Sequence, residues 1–125
     1  MADTPIGASA SVPLTVGEGD LATVLRSGDV PVLATPRLVA LCEEATVAAI
    51  GPHLEDGHTS VGARVEFDHL APSGLGAEVR ARAGIVDVDG RLVTFAVTVT
   101  EGERTVARGT IIRAVVDRER FLGTL

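Results

Sequence analysis

The segment from Thr35 to Ile50 constrains the fold of this chain more than any other. Thr35 is a good helix cap and Pro36 suits the first helical position, so a helix opens there. Gly51-Pro52 stops it. Between these signals Leu38, Leu41, Cys42, Ala45, Ala48 and Ala49 form an apolar stripe at helical spacing, and Val39, Val47 and Ile50 fall on another side. A helix apolar nearly all round is wrapped by other structure rather than laid on a surface. The wrapping has to come from the rest of the sequence.

That sequence reads as strands. Ala8 to Val16 is a first strand, with Pro13 favouring an edge. Gly17 to Asp29 reads as a loop with one helical turn, and Val30 to Ala34 as a short extended stretch. After the helix, Val61, Ala63, Val65, Phe67 and His69 alternate with Gly62, Arg64, Glu66 and Asp68, which is period-2 patterning with one apolar face. Ala71-Pro72-Ser73-Gly74 reads as a turn. The run from Ala77 to Ile85 alternates apolar residues with Glu78, Arg80 and Arg82. Asp89-Gly90 signals a hairpin into Leu92 to Thr100, and Glu101-Gly102 a second tight turn into Thr105 to Val116. Asp117 to Leu125 reads as a short tail. The order is strand, buried helix, then four strands in a meander. A five-stranded antiparallel sheet wrapped around one long helix, the α+β hot-dog fold, satisfies these patterns in a single domain over residues 1–125, with residues 1–7 as a loose tail. The exposed strand edge of such a sheet predicts an isologous homodimer.

Composition narrows the function. The chain is 46% hydrophobic, yet charged or turn residues break every apolar run long before a membrane span. All 11 basic residues are Arg, which excludes lysine Schiff-base chemistry and a phosphate-loop lysine. The absence of Trp and Tyr, with only three Phe, weakens the case for base stacking on aromatic platforms. A net charge of −6 argues against nucleic acid but leaves room for a small anion held by Arg. One cysteine, Cys42, allows no intrachain disulfide and reads as inert core. His53 and His58 have no third ligand at a sensible spacing, so neither a metal nor a cofactor is expected. The first ten residues lack the pattern of a secretory signal, and the expected location is the cytoplasm.

Polar residues interrupt the apolar pattern at three places. Glu43 has Val39, Thr46, Val47 and Ile50 as its helical neighbours. A carboxylate on such a face is costly unless paired or protonated. It marks either a small solvent window or a general base. Glu44 lies further round, near Arg37, and is expected to pair with it. His69 ends the apolar face of its strand and points toward the helix. It is either a satisfied strand-end residue or an acid–base partner for Glu43. Thr35 is expected to cap the helix, and its hydroxyl stands beside amides suited to an oxyanion.

Thr35, Glu43 eight residues on and His69 twenty-six further resemble the fluoroacetyl-CoA thioesterase family of hot-dog proteins. So do the segment Phe67-Asp68-His69-Leu70-Ala71-Pro72-Ser73-Gly74, which runs into the next strand, and Gly109-Thr110-Ile111-Ile112-Arg113-Ala114-Val115. The resemblance spans Val16 to Phe121. It implies Thr35, Glu43 and His69 as the catalytic set, Gly62 beside the thioester and Arg113 near the substrate entrance. It implies hydrolysis of a small or short-chain acyl-CoA, with Glu43 either activating water or attacking the carbonyl itself to give a transient anhydride. The family's fluoroacetyl-selective member closes its pocket with aromatic residues before the helix, whereas Leu25-Arg26-Ser27-Gly28-Asp29 has none. Two other readings use the same fold: an acyl-CoA hydratase or dehydratase, and a non-catalytic acyl-ligand-binding protein.

Overall fold

The computed structural model describes residues 5–125; the first four residues of the expected loose tail lie outside the described residues. By Gly7 the chain is already tied down, its N–H donating to the Ile85 carbonyl at 2.8 Å. The elements in order are β1 (Ser9–Thr15), a 3-10 turn (Glu18–Asp20), α1 (Ala22–Leu25), α2 (Thr35–Ile50), a second 3-10 turn (Gly51–His53), β2 (His58–His69), β3 (Glu78–Asp89), β4 (Leu92–Glu101), β5 (Arg104–Asp117) and α3 (Arg118–Leu122). The strands form an antiparallel sheet in the order β1-β3-β4-β5-β2, and α2 packs on one face of it, chiefly against β1 and β3.

Only β3, β4 and β5 form a meander. The expected four-strand meander is corrected at β2, which pairs with β5 at the far edge instead of with β3. Leu70 to Ala77 is a crossover rather than a turn. Leu70 and Ala71 donate to the Val106 carbonyl on one side, and Gly76 donates to the Val16 carbonyl on the other. In the middle, the buried Ser73 accepts from the Leu33 N–H through its carbonyl, and its hydroxyl donates to Glu101 at 2.7 Å. Arg104 closes this clamp, donating to Glu101 and to the Pro72 carbonyl.

The helix is wrapped on one side only. Leu38, Leu41, Cys42, Ala45, Thr46, Ala49 and Ile50 are buried, while Val47 is 48% exposed, Ala48 is exposed and Val39 is half-buried. One sheet covers one face of a helix, so the stripe Val39, Glu43, Val47 stays open. Ala45, Ala49, Ala81 and Ala83 are at most 3% exposed, and these small side chains let helix and sheet approach closely.

Local differences from the sequence reading have clear causes. The helix cap is Ala34, in extended conformation and without a side-chain bond; Thr35 is already helical, which frees its hydroxyl. Gly51 stays right-handed helical and the chain tightens into the 3-10 turn before leaving the helix axis. Val30 to Ala34 forms only the isolated bridge Leu21 to Leu33. The expected C-terminal tail contains α3, capped by Asp117, whose carboxylate accepts from the Arg120 N–H at 2.9 Å.

Candidate active site

Register places the side chains of β2, and a bulge resets it. Pairing with β5 skips Ala63: Gly62 sits opposite Arg113 and Arg64 opposite Ile112. Arg113 and Ile111 are buried toward the helix, so Gly62 faces inward before the bulge, and Val65, Phe67 and His69 face inward after it. The expected inward face of Val61 and Ala63 is therefore replaced by Ser60 and Gly62. Bulges re-aim side chains in this way beside active sites.

Two polar clusters result. At the start of α2, the Thr35 hydroxyl lies 2.7 Å from His69 Nδ1. His69 Nε2 is buried and has no hydrogen-bond partner among the described residues. The pair lines an open pocket of about 270 Å³ with Val32, Ala71 and Pro72.

Two turns further along, Arg113 is the centre of the second cluster. Its guanidinium donates through Nε to Ser60 Oγ at 2.9 Å, through Nη2 to the Ser60 carbonyl at 3.1 Å and through Nη1 to Glu43 Oε2 at 3.5 Å. The Arg113 side chain is 8% exposed and that of Glu43 37%. Burial pushes the Arg113 guanidinium below its usual range, and the Glu43 charge pushes it back. Pairing with Arg113 at an open helix face, rather than a sealed apolar pocket, accommodates the carboxylate. Gly62 is pressed against it: a Cβ at Gly62 would stand 2.6 Å from Glu43 Oε2.

The structure thus brings Thr35 to His69 and Glu43 to Gly62 and Arg113, but it does not bring the two groups together. Eight residues of helix separate Thr35 from Glu43 by about 12 Å along the axis. Ser60, which holds the guanidinium, carried no signal in the sequence; only the unforeseen bulge turns it inward. Arg37 pairs with Asp20 at 2.8 Å rather than with Glu44. Burial, and then the neighbouring Glu43 charge, push the Cys42 thiol up to about 12, so it stays protonated and unreactive. A larger depression, about 590 Å³, lies around Glu66, Thr98 and Arg108 and includes none of these side chains.

The model of the family described as FlK, fluoroacetyl-CoA-specific thioesterase, matches residues 16–119. The chain belongs to this family. A fluoroacetyl-CoA thioesterase of Streptantibioticus cattleyicolor is 36% identical over 90 residues, 72% of this chain and 65% of that protein. The match thus spans slightly less than two thirds of that relative's length. Among solved structures, a Thermus thermophilus member of the thioesterase superfamily superposes with a TM-score of 0.92 at 27% identity, covering 99% of this chain and 92% of that one. A variant of the fluoroacetyl-CoA-specific thioesterase in complex with fluoroacetate and CoA superposes with a TM-score of 0.86 at 29% identity, covering 94% and 98%. This family member therefore has the hot-dog fold, with its five-stranded antiparallel sheet and long helix. No helix among the described residues is long and apolar enough to cross a membrane.

Proposed function

We propose that this protein hydrolyses the thioester of a small or short-chain acyl-CoA in the cytoplasm, and that it works as a homodimer. Glu43 carries the reading. Its carboxylate is held by a buried guanidinium on an open helix face, against a strand position that has no side chain. The missing side chain at Gly62 admits the carboxylate against the β2 backbone, beside the place assigned to the thioester. Glu43 draws a proton from water, the hydroxide attacks the carbonyl carbon, and the tetrahedral intermediate collapses to acid and thiolate. His69, oriented through Nδ1 by Thr35, protonates the thiolate from Nε2. The amides of Thr35 and Arg37 at the positive end of the helix serve the oxyanion; Pro36 has no N–H to offer. The fluoroacetyl-CoA thioesterase relative and the CoA-bound solved structure support the substrate class. The stretch from Leu25 to Asp29 has no aromatic residue to close a pocket, which argues against selectivity for a fluorinated acyl group.

The dimer supplies what one chain separates. β2 is a sheet edge, Val65 on it is 40% exposed, and the neighbouring helix stripe Val39, Glu43, Val47 is uncovered. Antiparallel pairing of β2 with its own copy, centred on Glu66 and with the Ala63 bulge skipped in each copy as it is against β5, sets Gly62 opposite the partner's His69. One copy then contributes Glu43, Gly62 and Arg113, and the other contributes Thr35 and His69.

A panel of acyl-CoA substrates of increasing chain length, followed by thiol release, tests the activity. Thiol release fastest with the shortest acyl groups is expected. Hydration of crotonyl-CoA without thiol release, or saturable binding without turnover, would overturn the reading.

A further inference from the structure

A pocket of about 340 Å³ lies where α3 folds back on the ends of β2 and β5 beside the β3–β4 turn. His58, Arg91 and Arg120 line it together with one carboxylate, Asp117. On a chain of net charge −6, this is a local excess of positive charge. The Asp117 carboxylate is already engaged in capping α3. None of the three basic side chains has an ion-pair partner among the described residues. His58 Nδ1 is buried with no hydrogen-bond partner among the described residues, a condition that an incoming acceptor would relieve. Phe121, 36% exposed, adds an apolar ring to the same wall.

These groups match a phosphorylated nucleotide. Guanidinium forks suit phosphate oxygens, and an aromatic face suits a base. The placement fits as well. His58 precedes the bulge and shares the inward face of β2 with Ser60 and Gly62. It lies about 13 Å along the strand from Gly62, counting four residues. That is a span for the extended pantetheine arm.

We propose that this pocket receives the nucleotide end of CoA, with its phosphates on Arg91, Arg120 and His58 and its base against Phe121. The inference rests on the thioesterase reading for its substrate, and it fixes the thiol carrier as CoA rather than a carrier protein.

The test compares kcat/KM for an acyl-CoA with kcat/KM for the same acyl group on pantetheine, which keeps the thioester and lacks the nucleotide. The wild type is expected to prefer the CoA ester. Replacing Arg91→Ala and Arg120→Ala together is expected to cut that preference about tenfold or more, mainly through KM. Arg82→Ala, at an exposed position on β3, is expected to leave it as it is. Calorimetric titration with adenosine 3′,5′-bisphosphate gives a second readout that needs no turnover: binding is expected to weaken about tenfold or more in the double variant. An unchanged CoA preference, or unchanged bisphosphate binding, overturns the proposal. A wild type that binds the bisphosphate through these arginines but hydrolyses neither thioester supports the pocket and defeats the thioesterase reading, so the two failures are distinguishable.

Discussion

At Gly62 a hydrogen in place of a methyl group decides where Glu43 sits. An alanine Cβ would stand 2.6 Å from Glu43 Oε2 and 3.9 Å from Arg113 Nη1. The obstacle is the far end of a flexible side chain, so the fold accommodates the methyl by displacing the carboxylate. Gly62→Ala is therefore expected to change unfolding free energy by less than about 1 kcal/mol. Turnover should fall at least about tenfold, because small misplacements of a catalytic group are costly. Urea unfolding alongside thioester hydrolysis checks this, and retained turnover contradicts the assigned place of Glu43. Glu43 and His69 were legible in the sequence because each is a polar residue in an apolar pattern. Ser60 was not, because nothing local distinguishes a serine that grips a guanidinium from one that faces water.

The elements differ in how openly the sequence announces them. Helix α2 shows itself through Pro36 and through Gly51-Pro52, and the hairpins through Asp89-Gly90 and Glu101-Gly102, where Gly90 and Gly102 adopt φ of +60°. The bulge at Ala63 was hidden, since Val61, Ala63 and Val65 alternate as if the strand ran straight. The pairing of β2 with β5 was hidden for a different reason: it joins segments some fifty residues apart, and local patterning says nothing about non-local partners. That pairing is tightest at Gly109, where a Cβ would meet the Glu66 carbonyl oxygen and would stand 3.0 Å from Phe67 Cα. Backbone cannot yield as a side chain does. Gly109→Ala is expected to destabilise the fold by about 2–4 kcal/mol, read from the urea midpoint.

Before α2, Asp20 anchors the incoming turn. Burial acts to raise its carboxyl, but the Gly17 N–H at 2.8 Å and the Arg37 guanidinium outweigh it and hold the carboxyl below its usual 3.8. A carboxyl lowered by folding adds stability above its unfolded value and loses it as pH falls through the folded one. Asp20→Asn should therefore cost stability at about pH 6, on the order of 0.5–1 kcal/mol, with the difference from wild type closing as pH falls from 3.8 through the lowered folded value.

At the scale of the whole molecule, the open stripe of α2 and the free edge of β2 lie together, and both polar clusters border them. A chain with few aromatics builds its core from alanine and branched aliphatics, and close packing on one side leaves the other side open, the side the proposed dimer would cover. Val65→Asp and Val47→Asp are expected to shift the protein toward monomer in sedimentation and to lower turnover with it. The central claim is that Glu43 of one copy and His69 of the other act on one thioester. Acyl-CoA hydrolysis by Glu43→Ala and His69→Ala, each alone and then refolded together as a mixture, tests it directly. Each variant alone should lose about 100-fold or more in turnover. The mixture should recover to about a quarter of the wild-type rate, since random pairing makes half the dimers mixed and each mixed dimer regains one intact site of two. Wild-type turnover in either folded variant, or a mixture no faster than its components, would contradict the account.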